Sequence, residues 1–190
     1  MKDKLKEVYP IIFLTIVVLL SMTLLTFTDN ITNDLIEENK TEEIKAMLVV
    51  QFPEMEDYEF DDEIEVYFIK NNNETIGYAF MAIGTGYGGD IEILVGLDEN
   101  ETTIMDSENK IKTISIISQT ETPGLGTKIT ETDFLNQFEG IDVNEVELVR
   151  DGGEIDAITS ATISSSAVVE IVKETSIDKI ELIKEKLEAS

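Results

Sequence analysis

The sequence predicts an α+β fold: a single N-terminal transmembrane helix followed by one outer domain that mixes strands and helices. Three observations carry this expectation. Val8–Thr28 contains no charged side chain. Between residues 63 and 118, short β-prone runs are separated by turn residues. From about Ser164 to Leu187, apolar residues recur at helical spacing.

The charge-free run comes first. At ~1.5 Å per residue it spans roughly 30 Å, the thickness of a bilayer core. Lys2, Lys4 and Lys6 precede it, while Asp29 and Asp34 follow it and the next basic residue is Lys40. The positive-inside rule then places the N-terminus in the cytoplasm and the rest of the chain outside. A cleaved signal peptide would be shorter and would end in a small-x-small site, which does not follow here. Thr15, Ser21, Thr23 and Thr26 are the polar positions inside the run, available for packing against partner helices. Residues 30–51 read as a second helical stretch, running on from the span as a stalk that packs on the domain, with Pro53 as its stop. The expected division is 1–28 for the cytoplasmic N-terminus and anchor, 29–52 for the stalk, and 53–190 for the domain.

Within the domain, Glu63–Lys70 alternates, with Ile64, Val66 and Phe68 on one face. Asn71-Asn72-Asn73 reads as a turn. Thr75–Gly84, Ile91–Leu97 and Lys110–Ser118 are further strands. Thr130-Glu131-Thr132-Asp133 has the pattern of a helix N-cap before Phe134, Leu135 and Phe138, and Gly140 ends that short helix. Val146–Val149 reads as a short strand and Asp151-Gly152-Gly153 as a turn. The last helix has a possible break near Ser176. No repeat or low-complexity linker divides this part.

Composition narrows the chemistry. The chain has 190 residues, 40 acidic against 14 basic, and a net charge of −26. All but two of the acidic residues lie beyond residue 28. Such a surface repels phosphate backbones, so no nucleic-acid partner is expected. There is no Cys and no His. Thiol nucleophiles, Fe–S clusters, Ser-His-Asp triads and His-ligated metals are therefore excluded. Any redox or transfer chemistry must come from a bound cofactor.

Gly84-Thr85-Gly86-Tyr87-Gly88-Gly89 satisfies G-x-G-x-x-G, but a dinucleotide fingerprint needs a helix directly after it. Here the strand Ile91–Leu97 follows, so a glycine-rich connection between strands fits better. Sequons at Asn30, Asn73 and Asn100 are weak signals. Two other segments carry more chemistry. Glu121-Thr122-Pro123-Gly124-Leu125-Gly126 is a tight loop with exposed N–H groups and Leu125 as an apolar platform, able to hold a planar ligand or to serve only as a turn. Asp156-Ala157-Ile158-Thr159-Ser160-Ala161-Thr162, followed by Ser164, Ser165 and Ser166, crowds hydroxyls just before the last helix. A helix N-terminus of this kind suits phosphate, and a plain N-cap would need only one of them.

The Asp156–Thr162 segment resembles the flavinylation motif of FMN-binding domains. Glu121–Gly126 resembles the corresponding loop of the G subunit of Rnf-type complexes and of the C subunit of the sodium-pumping NADH:quinone reductase. Both motifs stand in the same order, and the resemblance covers essentially the whole chain, including the single N-terminal span. It implies an extracytoplasmic FMN-binding domain with a mainly antiparallel sheet and flanking helices.

It further implies FMN held covalently through a phosphoester to Thr162, placed there by a flavin transferase. Thr159, Ser160, Ala161, Asp156, Ser164 and Ser165 would surround the phosphate. Glu121, Thr122, Pro123, Gly124, Leu125, Gly126, Lys128 and Gly88 would lie near the ring. The protein would then be an electron carrier, without catalytic side chains or metal of its own, in a cell-membrane, ion-translocating oxidoreductase that works between ferredoxin and NAD+. Its partners would be the other membrane and peripheral subunits. The quinone-reductase relative and an anchored structural domain lacking flavin stay open as alternatives. Two positions depart from the family: Ser160 stands where glycine is frequent, and Gln119 where a His is often found.

Overall fold

A computed structural model describes the backbone of residues 2–98, 100, 102–106 and 108–189, and the side chains of these except 2–12 and 28–40. Helix α1 runs Lys2–Gln51. It stops where expected, because Pro53 disfavours helical backbone at Phe52. The chain divides into two compact units, Met1–Ala46 and Met47–Ser190.

The first unit is helical. Its described apolar side chains between Phe13 and Phe27 are exposed, among them Leu20 and Leu25. Thr23 and Thr26 donate their hydroxyls to the carbonyls of Leu19 and Met22, four residues back. Residues 8–12 and 28 of the expected span lie outside the described side chains, and among the described residues no helix is long and apolar enough to cross a membrane.

The second unit is built on one sheet. Strands β1 (Asp57–Asp61), β2 (Val66–Asn71), β3 (Glu74–Thr85), β4 (Asp90–Leu97) and β5 (Ile111–Gln119) lie in sequence order, each antiparallel to the next. The antiparallel sheet with flanking helices agrees with the α+β expectation. Asn72 and Asn73 take φ of 50° and 65° between β2 and β3, the backbone a two-residue hairpin needs. Helix α2 is the short Thr132–Leu135, and helix α3 (Thr162–Ala189) covers one face of the sheet. Tyr78, Phe80, Ala82, Ile93 and Val95 meet Val168, Val169 and Val172 in the main core. The end of α1 packs on the sheet through Leu48 and Phe52, both fully buried. Gly77 and Gly96 make room for the Phe52 ring there. Gln51 donates its amide to the Leu94 carbonyl and the Ser115 hydroxyl, fixing this turn to the sheet.

Several local expectations are corrected. The alternation at Glu63–Lys70 becomes strand only from Val66, because residues 62–65 form a turn with Glu65 at φ 52°. Strand β1 escaped sequence reading: Asp57-Tyr58-Glu59-Phe60-Asp61 is acidic, as suits an exposed sheet edge. Helix α2 is preceded by Glu131 without a side-chain cap bond. Thr130 turns its hydroxyl back to the Thr127 carbonyl instead. Val146–Val149 is not a strand. Val146 and Leu148 alternate into the core from a loop with a single bridge, Leu148 to Ile155. Ser176 does not break α3. It is fully buried between Val172 and Ile180, whose packing outweighs the weak helix preference of serine.

The far end of α3 is tied down by charge. Lys186 lies 2.6 Å from Asp61 and 3.0 Å from Glu63. Its hydrogen bond holds the Asp61 carboxyl below the usual aspartate range. The folded state therefore binds fewer protons at this site than the unfolded chain, so the stabilisation is present above the ordinary aspartate range and fades as pH falls through the lowered value. Asp61→Asn should be less stable than the parent at pH 7, and the difference should close as pH falls below the ordinary aspartate range, as urea melts at neutral and acid pH would show.

Candidate functional site

Three segments converge at one end of the sheet. The first is the hairpin between β3 and β4, closed by Gly86 N–H donating to the Gly89 carbonyl at 2.7 Å. The second is the loop leaving β5, where the N–H groups of Leu125 and Thr127 both donate to the Thr122 carbonyl. The third is the turn leading into α3.

Glu121 joins all three. It is 4% exposed. Oε1 accepts from the Gly88 N–H at 3.1 Å, and Oε2 accepts from the Ser164 hydroxyl at 2.6 Å. Its own N–H donates to Gln119 Oε1 at 2.6 Å, so Gln119 supports the backbone of this loop. Glycine is required around this carboxylate. A Cβ at Gly88 would lie 2.2 Å from the Thr120 carbonyl oxygen, and one at Gly126 would lie 2.6 Å from Glu121 Oε2.

The turn before α3 is held by serine hydroxyls. Ser165 is fully buried, accepts from the Ile158 N–H and donates to the Ala161 carbonyl. Gln137 clamps the backbone of Asp156 from both sides, accepting its N–H and donating to its carbonyl. Ser160 sits at φ 70°, in the left-handed region. Three of the six hydroxyls that suggested anion binding are thus spent inside the protein: Ser164 on Glu121, Ser165 on the turn, and Ser166 on the Thr162 carbonyl.

Between these segments lies a cleft of about 540 Å³, walled by Tyr87, Thr122, Leu125 and Gly126 on one side and by residues 160–164 on the other. Tyr87 is 67% exposed, Ile163 61% and Leu125 45%, which gives the cleft apolar walls. Thr162 is half-buried at the start of α3, a helix of 28 residues whose N-terminal dipole favours negative charge. Arg150, the only arginine in the sequence, donates to the Ser166 hydroxyl at 2.8 Å and pairs with Asp151, and it lines a neighbouring hollow rather than this cleft.

The structure therefore brings Thr162, Ser160, Ala161, Ser164, Thr122, Leu125 and Gly126 to one cleft, with Glu121 and Gly88 directly behind it. Ser165 lies beneath the turn. Asp156, Thr159, Pro123, Gly124 and Lys128 stand outside the cleft wall. Sequence reading missed Tyr87, Ile163 and Gln137. An aromatic ring between loop glycines was a signal for Tyr87. Nothing local marked Gln137, which acts across 19 residues of chain.

The FMN-binding domain family matches residues 86–176. The G subunit of the ion-translocating oxidoreductase complex of Methanosarcina acetivorans is 31% identical over 70% of this chain and 71% of its own length. The G subunit of the proton-translocating ferredoxin:NAD(+) oxidoreductase complex of Clostridium ljungdahlii is 37% identical over 57% of this chain and 56% of its own. Apart from the Methanosarcina protein, the matched stretch spans about half of such relatives. The C subunit of the Na(+)-translocating NADH-quinone reductase of Parabacteroides distasonis aligns in structure with a TM-score of 0.48 and 22% identity, over 60% of this chain and 61% of that one.

Proposed function

The chain belongs to the family of G subunits of ion-translocating oxidoreductase complexes with their FMN-binding domain, and from that membership we propose that it is the FMN-carrying electron-transfer subunit of an Rnf-type complex working between ferredoxin and NAD+. The observation that carries the proposal is Thr162: a half-buried hydroxyl at the N-terminus of α3, opening into an apolar-walled cleft at the end of the Asp156–Thr162 motif.

The residues present fit FMN. The cleft volume lies within the range of cofactor sites. Leu125, Tyr87 and Ile163 offer apolar surface for a ring system. At the α3 end, the Thr162 hydroxyl and the amides of the first helical turn suit a phosphate. When bound, FMN supplies the electron-carrying chemistry. Every other task belongs to the chain. Thr162 Oγ holds the phosphate as an ester, which tethers the cofactor without touching its redox-active ring. Glu121 holds the hairpin, the 121–126 loop and α3 at fixed spacing, so that the cleft keeps its width. Ser165 and Gln137 hold the turn that presents Thr162. A flavin transferase would form the ester outside the cytoplasm, where an untethered cofactor would be lost.

The apolar, exposed stretch of α1 supports membrane attachment, with Lys2, Lys4 and Lys6 on the cytoplasmic side. One such helix forms no ion path, so ion translocation rests with partner subunits. Residues 1–28 then serve as anchor, 29–52 as stalk and 53–190 as the domain.

Intact mass of the native protein tests the reading. The expected result is an increase equal to one FMN less water, absent from Thr162→Ala. A native chain at its unmodified mass would overturn covalent attachment, and an unchanged increase in Thr162→Ala would overturn the site.

A further inference from the structure

We infer that the sheet face turned away from α3 is a docking surface for a protein partner that is apolar at the centre of its contact area and basic around it. Side chains alternate along a strand, so the face opposite the α3 core carries Tyr58, Phe60, Tyr67, Met81 and Ile83. None of these belongs to the main core. The end of α1 covers the middle of this face, where Leu48 and Phe52 are fully buried. Beyond it, Phe60 is 41% exposed and Ile83 59%. Phe60 and Tyr67 pack with ring centroids 4.5 Å apart, and Tyr58 meets Tyr67 edge-on at 5.8 Å. Three rings gathered on the solvent side of a sheet make the aromatic kind of surface that is enriched at the centre of protein interfaces.

Charge decides what covers it. Residues 54–65, which include the edge strand β1, hold eight acidic side chains and no basic one. Lysines elsewhere in the chain pair with Glu54, Glu59, Asp61, Glu63 and Glu65. Glu56 and Asp57 have no ion pair among the described residues, and their carboxylates accept from the backbone N–H groups of Asn72 and Tyr58. A second copy of this chain, at −26, would meet this edge with like charge, and so would an anionic lipid surface. A basic rim on a partner pairs with these carboxylates instead, and its Lys or Arg heads can lie over the faces of Phe60 and Tyr67. The surface shares no residue with the cleft at Thr162, so the inference stands separately from the FMN reading.

Photo-crosslinking of the full chain, in membranes of the cells that make it, tests this. The photoreactive analogue p-benzoylphenylalanine replaces Phe60 or Ile83 in turn, and Leu182, an exposed residue of α3, is the control. All three positions face solvent, so the fold tolerates the analogue. The expected result is a crosslink from Phe60 and from Ile83 to one and the same protein, at a segment rich in Lys or Arg, and none from Leu182. Its yield should fall at least about fivefold between roughly 0.05 M and roughly 0.5 M salt. Crosslinks to a second copy of this chain, to lipid or to nothing would overturn the inference. So would a partner captured equally from Leu182, or a yield that salt leaves unchanged. Intact mass of the same samples reads flavin loading independently of these outcomes.

Discussion

Glu121→Ala is expected to destabilise the domain by about 3 kcal/mol. The substitution leaves the Gly88 N–H and the Ser164 hydroxyl without their acceptor in a site that is 4% exposed, and each buried unsatisfied group costs about 1–3 kcal/mol. The empty volume of the side chain adds to this. The melting temperature should fall by about 6–12 °C for a domain of this size. Glu121→Gln should cost only about 1 kcal/mol. Its amide oxygen can accept from Gly88, and its NH2 can donate to Ser164 once that hydroxyl turns to act as acceptor. Urea denaturation of the three proteins checks this. Equal loss in the two variants would show that the negative charge matters rather than the hydrogen bonds. No loss in Glu121→Ala would show that the three segments are held by something else.

The second large effect is expected at Gly88. A Cβ there meets the Thr120 carbonyl oxygen at 2.2 Å. That atom belongs to the backbone and cannot swing aside, so one of the two loops must move. Overpacking of this kind costs about 1–3 kcal/mol, and the displacement also breaks the Gly88–Glu121 bond. Gly88→Ala should therefore melt at least several degrees lower. It should also widen the cleft on the Tyr87 side, which a reduced yield of flavin-loaded protein by intact mass would reveal. Full stability together with full loading in Gly88→Ala would contradict the close approach of the two loops.

The glycine hairpin shows what the sequence could and could not reveal. A strand after Gly84–Gly89 was enough to reject the dinucleotide reading, because periodicity distinguishes strand from helix directly. The five-stranded region was legible for the same reason, except at β1, where charged residues on an exposed edge hide the alternation. The loop of Val146 and Leu148 misled in the opposite sense, since alternating burial without a partner strand looks identical in one dimension. Within the site, the residues that stand near each other along the chain were legible as motifs. The contacts that assemble them were not. Glu121 to Ser164 spans 43 residues and Gly88 to Glu121 spans 33, and neither pairing leaves a local trace. The three serines after Thr162 also looked alike in sequence, and only their hydrogen bonds show that all three are spent within the protein.

The strictly sequential order of the sheet has a consequence for how the molecule comes into being. Each strand pairs with the one made just before it, so the sheet can grow hairpin by hairpin through short loop closures. Helix α3 is different: it follows all five strands in the sequence and must return to cover strands made roughly a hundred residues earlier. During synthesis from the N-terminus, Tyr78, Phe80 and Val95 stay uncovered until that helix emerges. Thr162 reaches its place in the same event, so the proposed attachment point forms only after all five strands have been made.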